Sequence, residues 1–135
     1  TPRGSIEEPF NPILLMLDAG ATFIARGFSG KVKHLTSLIV QAVEHKGFSF
    51  IEVFQPAVPD HSWQEDNEKI SILDTEPSTH EEARTFAKKE EEWYIGVYYR
   101  EEKATFLDLL YGDHNPVENR LSRVERIKKL KEILA

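Results

Sequence analysis

Five histidines, several paired carboxylates and one glycine-rich turn are the groups with which this chain could do chemistry. The histidines are His34, His45, His61, His80 and His114, and none stands four residues from another. A structural metal site needs three or four convergent ligands, and this spacing supplies no such set. His80 precedes Glu81 and Glu82 and reads as part of a helix cap. Glu90, Glu91 and Glu92, and the pair Glu101 and Glu102, are the carboxylates that could share acid–base work. Their neighbouring lysines make a solvated face the better reading. Gly27-Phe28-Ser29-Gly30-Lys31 puts glycines, a hydroxyl and a lysine at a helix start, where backbone N–H groups favour anions. The run lacks the Gly-x-x-x-x-Gly-Lys-Ser/Thr spacing of a phosphate loop, so it reads first as a turn in which Ser29 caps the next helix. With no cysteine, the chain has no thiolate nucleophile, no disulfide and no thiolate metal ligand. The residues themselves therefore nominate no catalytic, cofactor-binding or metal-binding side chain.

The elements that must position these groups are well punctuated. Asn11-Pro12 is a helix cap followed by proline at the first helical position, and Ile13 to Leu17 continue as a short apolar helix ended by Gly20. Ala21 to Ala25 is β-branched and apolar and reads as a buried strand. The next helix, over 31–46, carries Val32, Leu35, Leu38, Ile39, Ala42 and Val43 on one broad face. Phe48 to Phe54 is almost continuously apolar, as expected of a central strand covered on both faces. Helix, strand, helix, strand with short connections implies parallel pairing and an α/β fold. Beyond Pro56, residues 58–67 read as an exposed loop. Thr79-x-x-Glu82 is a capping-box pattern for a helix running to Glu92. Trp93 to Tyr99 reads as a strand and Lys103 to Tyr111 as a short extended or helical piece. Asn115-Pro116 opens a last helix striped with Val117, Leu121, Val124, Ile127, Leu130 and Leu134.

Composition narrows the class. The chain has 135 residues, 40% hydrophobic and 30% charged, with a formal charge of -6. These values suit an ordinary globular chain and argue against a nucleic-acid partner. The apolar run Ile13 to Leu17 is far too short to span a bilayer, so no membrane partner is expected. Freedom from cysteine suits a reducing cytoplasm. Against this acidic background the last helix holds Arg120, Arg123, Arg126, Lys128, Lys129 and Lys131. It is either an exposed helix or one that packs on an acidic partner.

The stretch Asn11-Pro-Ile-Leu-Leu-Met-Leu-Asp-Ala-Gly-Ala-Thr-Phe-Ile-Ala-Arg-Gly-Phe-Ser-Gly30 resembles a segment of 2-oxoacid:ferredoxin oxidoreductase β subunits. The resemblance continues through His34-Leu35 and His45-Lys-Gly-Phe-Ser-Phe-Ile-Glu-Val-Phe-Gln-Pro56. Its specific elements are Gly-Ala-Thr-Phe-Ile-Ala-Arg and His-Lys-Gly-Phe. Trp93 to Leu110, with Ile95-Gly96-Val97 and Tyr99-Arg100-Glu101-Glu102, resembles the C-terminal extension of the same subunit.

The resemblance implies a part of a thiamine-diphosphate-binding, parallel-sheet α/β domain over 1–57, followed by a C-terminal helical and strand extension over 58–135. It implies oxidative decarboxylation of a 2-oxoacid such as pyruvate, with electrons passed through an iron–sulfur cluster to ferredoxin. The thiamine carries that chemistry and the protein supplies position and electrostatics. Family members hold thiamine pyrophosphate and Mg²⁺ through a Gly-Asp-Gly motif and a downstream Asn. This sequence has no Gly-Asp-Gly; its one Gly-Asp, Gly112-Asp113, continues to His114. The chain therefore reads as the C-terminal half of the subunit, inactive alone, with the cofactor bound by an upstream half. Thr1-Pro2-Arg3-Gly4-Ser5, with no initiator Met, fits a start inside a loop. Implied partners are that upstream half, the α subunit and ferredoxin. Ala57 stands where many members carry a cluster-ligating Cys, and a methyl group cannot ligate iron; Asp60 and His61 are the nearest other candidates. A non-catalytic assembly module of the same fold, without cluster or cofactor, is the alternative from a different class, and a decarboxylase-type thiamine enzyme is a third.

Overall fold

The computed structural model describes residues 6–7, 10–55, 67–89, 93–112 and 120–134. They separate into two compact units, 1–103 and 104–135.

The first unit is an α/β layer structure. Helix α1 (Pro12–Asp18) leads to strand β1 (Phe23–Phe28), helix α2 (Val32–Glu44) and strand β2 (Ser49–Phe54). Strand β3 (Ile70–Ile72), helix α3 (His80–Ala87) and strand β4 (Trp93–Arg100) follow. The four strands form one sheet in the order β2-β1-β4-β3. β1 pairs with β2 in parallel and β3 with β4 in parallel, while β1 and β4 run antiparallel. Two β–α–β units thus lie back to back; the parallel pairing expected of the first two strands holds, and the antiparallel β1–β4 pair makes the whole sheet mixed.

Local chemistry explains where the elements begin. Asn11 accepts from the backbone N–H of Ile13 and Leu14 at 3.1 and 3.2 Å, as its cap position predicts. Its side-chain amide also donates to the Ala87 carbonyl at 2.6 Å, so one residue caps α1 and satisfies the end of α3. Thr79 caps α3 by accepting from the Glu82 N–H. The Glu82 carboxylate turns instead to the N–H and hydroxyl of Ser78, so the expected box is only half made. β1 is longer than expected and takes in Gly27 and Phe28. Lys31, not Ser29, is the N-cap of α2, and no side chain bonds that helix start.

The two faces of the sheet carry separate cores. Ile13 and Leu17 of α1, Ala83 and Ala87 of α3, and Ile24 and Tyr98 of the sheet form one buried cluster. On the other face Phe23, Ala25 and Val97 pack against Leu38 of α2, with Ala42 and Ile51 partly buried beside them. Every residue of β1 is buried. β2, expected at the centre, lies at the edge of the described sheet and is only partly covered. The expectation failed because a continuously apolar strand signals two covered faces, and one side of β2 has no neighbour among the described residues. Strands β3 and β4 share this sheet, and the chain divides into its two units between residues 103 and 104.

The second unit holds helices α4 (Phe106–Tyr111) and α5 (Arg123–Ile133). Thr105 with Asp108, and Ser122 with Glu125, form complete capping boxes. Neither helix has a buried residue. Among the described residues no helix is long and apolar enough to cross a membrane.

Candidate functional site

The most distinctive polar arrangement in the described residues sits inside the sheet. Arg26 and Glu52 occupy matching positions of β1 and β2, each the single charge of a largely apolar strand. Arg26 Nε donates to Glu52 Oε2 at 2.6 Å, with only 8% of the arginine side chain exposed. The register between β1 and β4 slips after Ile24, which pairs with Tyr99 while Ala25 pairs with Val97. Tyr98 is the extra residue of this bulge, a feature that re-aims side chains. Its hydroxyl accepts from Arg26 Nη1 at 3.2 Å and donates to the Tyr94 carbonyl at 3.0 Å. The guanidinium also lies 4.8 Å from the Phe54 ring centre and 5.2 Å from that of Tyr98. Burial pushes the Tyr98 phenol above its usual value, against the opposing pull of Arg26. The cluster binds β2, β1 and β4 together through one cation and three aromatic or acidic partners, Glu52, Phe54 and Tyr98.

The two sequence elements that carry the resemblance meet at the opposite end of β1. Thr22 Oγ1 accepts from the Phe48 N–H at 3.0 Å and lies 2.9 Å from His45 Nε2. The His45 ring packs tilted on Phe23, 5.5 Å between centres. Gly47 has φ +150°, and a Cβ there would fall inside the Thr22 hydroxyl. Thr22 and the His-Lys-Gly-Phe turn are thus one interlocked joint that fixes where β2 starts. Its glycine is required by contact and by backbone conformation together.

A third group lies beside α3. His80 Nε2 donates to the Leu17 carbonyl at 3.2 Å and its ring meets Tyr99 edge-on. Tyr99 donates to Glu101 at 2.7 Å, and Lys103 pairs with the same carboxylate at 2.7 Å. The lysine first and the tyrosine second lower the Glu101 pKa, and the same Tyr99–Glu101 bond raises that of Tyr99. Glu101 thus lies on a solvated face beside a lysine, as expected, where it is also bonded by Tyr99.

The remaining sequence candidates stay apart. His34 lies on α2 with Nδ1 buried and unbonded, and its pKa is lowered by desolvation and then by Lys31. Gly27-Phe28 belongs to β1, so the glycine-rich turn shrinks to Ser29-Gly30. Ala57, Asp60, His61, Glu90, Glu91, Glu92, Asp113, His114 and the Asn115-Pro116 cap lie outside the described residues. Among the described residues no group of three or more His, Asp or Glu could hold a metal ion. Sequence reasoning passed over the Arg26–Glu52–Tyr98 cluster. The signal was present, as one cation and one anion each alone in an apolar strand.

No family model matches the chain. Curated relatives do. A 2-oxoacid:ferredoxin oxidoreductase subunit beta of Saccharolobus solfataricus is 33% identical over 119 residues, 86% of this chain and 36% of the relative. A subunit of the same name from a Sulfolobus species is 34% identical over 120 residues, 75% of this chain and 39% of its own length. The chain belongs to the 2-oxoacid:ferredoxin oxidoreductase β-subunit family. Among solved structures, a 2-oxoglutarate:ferredoxin oxidoreductase from Magnetococcus marinus, with 2-oxoglutarate, coenzyme A and succinyl-CoA bound, superposes with a TM-score of 0.73 at 26% identity. That match covers 96% of this chain and 47% of the other. The α/β fold is therefore shared with about half of a chain of that oxidoreductase. The chain spans between 36% and 39% of the length of these two curated relatives.

Proposed function

We propose that this chain is the C-terminal half of a β subunit that oxidatively decarboxylates a 2-oxoacid and passes the electrons to ferredoxin, and that it is inactive without the rest of the enzyme. The observation that carries this reading is a family match over most of the chain but well under half of the relatives, joined to a sequence without Gly-Asp-Gly. When bound, thiamine pyrophosphate with Mg²⁺ supplies the carbanion chemistry of such enzymes, and an upstream half of the subunit holds it. This chain's own residues shape the sheet beside that half. Arg26, Glu52 and Tyr98 fix the spacing of β2, β1 and β4, and the Thr22–Gly47 joint fixes where β2 begins. The α subunit and ferredoxin are the further partners, a reducing cytoplasm is the compartment, and pyruvate is one candidate among the 2-oxoacids. With Ala57 at the position of the usual ligand, an iron–sulfur cluster would need its fourth ligand from elsewhere.

Calorimetry with thiamine pyrophosphate and Mg²⁺ tests the reading, on the chain alone and on the chain produced together with the upstream part of the Saccharolobus solfataricus relative. Binding only in the combined sample is expected. Tight binding by the chain alone would refute the division of labour. Binding in neither sample would favour a non-catalytic assembly module of the same fold.

A further inference from the structure

The last helix concentrates positive charge in an acidic chain. Residues 120–134 hold six cations, Arg120, Arg123, Arg126, Lys128, Lys129 and Lys131, against the two anions Glu125 and Glu132, while the chain as a whole stands at -6. Among the described residues none of the six cations has an ion-pair partner. Glu125 is spent on the helix start, where its carboxylate accepts from the Ser122 N–H at 2.8 Å. Every residue of α5 is exposed.

The charges are not spread evenly round the helix. At about 100° per residue, Arg123, Arg126 and Lys131 all fall within about 70° of the line midway between Ile127 and Leu130. Glu125 and Glu132 lie about 170° away, on the opposite side, and Lys128 and Lys129 flank them at about 130°. One face therefore joins exposed aliphatic side chains to three cations and no anion. An apolar centre with a polar rim, enriched in arginine, is the anatomy of a protein interface. A helix of 11 residues with this much charge falls short of the large apolar contact between permanent subunits. It suits the small interfaces of transient electron-transfer pairs.

We infer that this face of α5, Ile127 and Leu130 framed by Arg123, Arg126 and Lys131, is a docking element for an acidic iron–sulfur protein, the electron acceptor of the function proposed above. Charge complementarity selects the occupant. A cluster held by cysteine thiolates is net negative, and its carrier must arrive and leave with each electron it takes. Attraction between opposite charges at long range speeds such encounters without holding the partner tightly. The inference rests on the electron-transfer reading and adds to it the surface that the acceptor meets.

Calorimetric titration of the full 135-residue chain with an acidic ferredoxin in its oxidised form is the test. Binding should be measurable at about 0.01 M salt and weaken by roughly tenfold or more at about 0.15 M, where the screening length has shrunk from about 30 Å to about 8 Å. Two pairs of substitutions then remove equal charge from different faces. Arg123→Gln with Lys131→Gln should weaken binding by roughly tenfold, and Lys128→Gln with Lys129→Gln by about twofold or less. Circular dichroism verifies that α5 survives in both. Equal losses in the two pairs would reduce the attraction to net charge and overturn the docking face, as would a wild-type chain that does not bind. Salt-dependent self-association in the ultracentrifuge, abolished by the first pair, would make the occupant a second copy. Tighter binding to vesicles of phosphatidylserine and phosphatidylcholine than to ferredoxin would make it a lipid surface, and either result overturns the inference. Thiamine pyrophosphate titration of the chain combined with the upstream half separates the two claims. Ferredoxin docking without cofactor binding leaves the surface standing and sinks the function, whereas cofactor binding without docking does the reverse.

Discussion

The two units spend similar side chains in opposite ways. Up to residue 103 the aliphatic and aromatic residues Ile13, Leu17, Phe23, Ile24, Phe28, Ile95 and Tyr98 are almost wholly removed from water. From residue 104 on, Phe106, Leu109, Val124, Ile127, Leu130, Ile133 and Leu134 are exposed, although α4 and α5 have the better-made caps. Capping is a local matter and each helix can satisfy it alone. Burial needs a second surface, and helices of this length are marginal in water without one. Stability should therefore reside in the first unit, and substitutions of equal chemistry should differ sharply between the two.

The sharpest break of that contrast is Arg26→Leu. It leaves Glu52 without its cation inside the sheet and removes the donor to Tyr98, and losing one partner of a buried pair costs about 3–5 kcal/mol. Urea titration followed by tryptophan fluorescence should show that loss, and the double change Arg26→Leu with Glu52→Leu should recover much of it. Full retention of stability in the single variant would deny the pair its place in the core.

Next in size is Ile13→Ala, expected to cost about 2–5 kcal/mol because the side chain is fully buried. Its counterpart Leu130→Ala, on the exposed α5, should stay within about 0.5 kcal/mol in the same titration of the chain alone. Comparable losses would mean that α5 is covered in solution.

Tyr98→Phe comes third, at about 1–3 kcal/mol, since Arg26 and the Tyr94 carbonyl both lose a partner. It also carries a pH signature. Burial raises the Tyr98 pKa in the folded chain, so the phenol's contribution is complete below its unfolded value of about 10 and is lost as pH rises through the folded value. The wild-type midpoint should fall faster with alkalinity than that of the variant, and parallel curves would contradict the assignment.

The smallest contrast compares caps. Thr79→Ala should lower global stability by about 1 kcal/mol, since α3 packs on the sheet. Ser122→Ala should reduce only the far-ultraviolet helical signal of α5 and leave the urea midpoint unchanged. A shift of the midpoint by Ser122→Ala would show that α5 is part of the cooperative unit.

Much of this was legible in the residues. Asn11 and Thr79 declared their helices because a cap is a one-residue decision made by the side chain beside the backbone it bonds. The strand at Trp93 was legible for a similar reason, as an aromatic and β-branched run. The family was legible because Gly-Ala-Thr and His-Lys-Gly-Phe are specific pieces of sequence. That these pieces touch was not, since nothing local links Thr22 to Gly47. The edge position of β2 was misread because apolar content reports how many faces need cover and says nothing about which strands lie on either side.

The sequence by itself determined the starts of α1 and α3, the alternation of helix and strand, the lack of any thiolate chemistry and the family resemblance. These follow from side chains acting on their own backbone or from short contiguous patterns. Only the tertiary structure decided that β4 runs antiparallel against β1, that its bulge delivers Tyr98 to Arg26, and that Glu52 is consumed as an ion-pair partner. Pairing direction, register and burial are relations between segments far apart in the chain. Their free energy comes from water excluded between surfaces that meet only once the chain has folded.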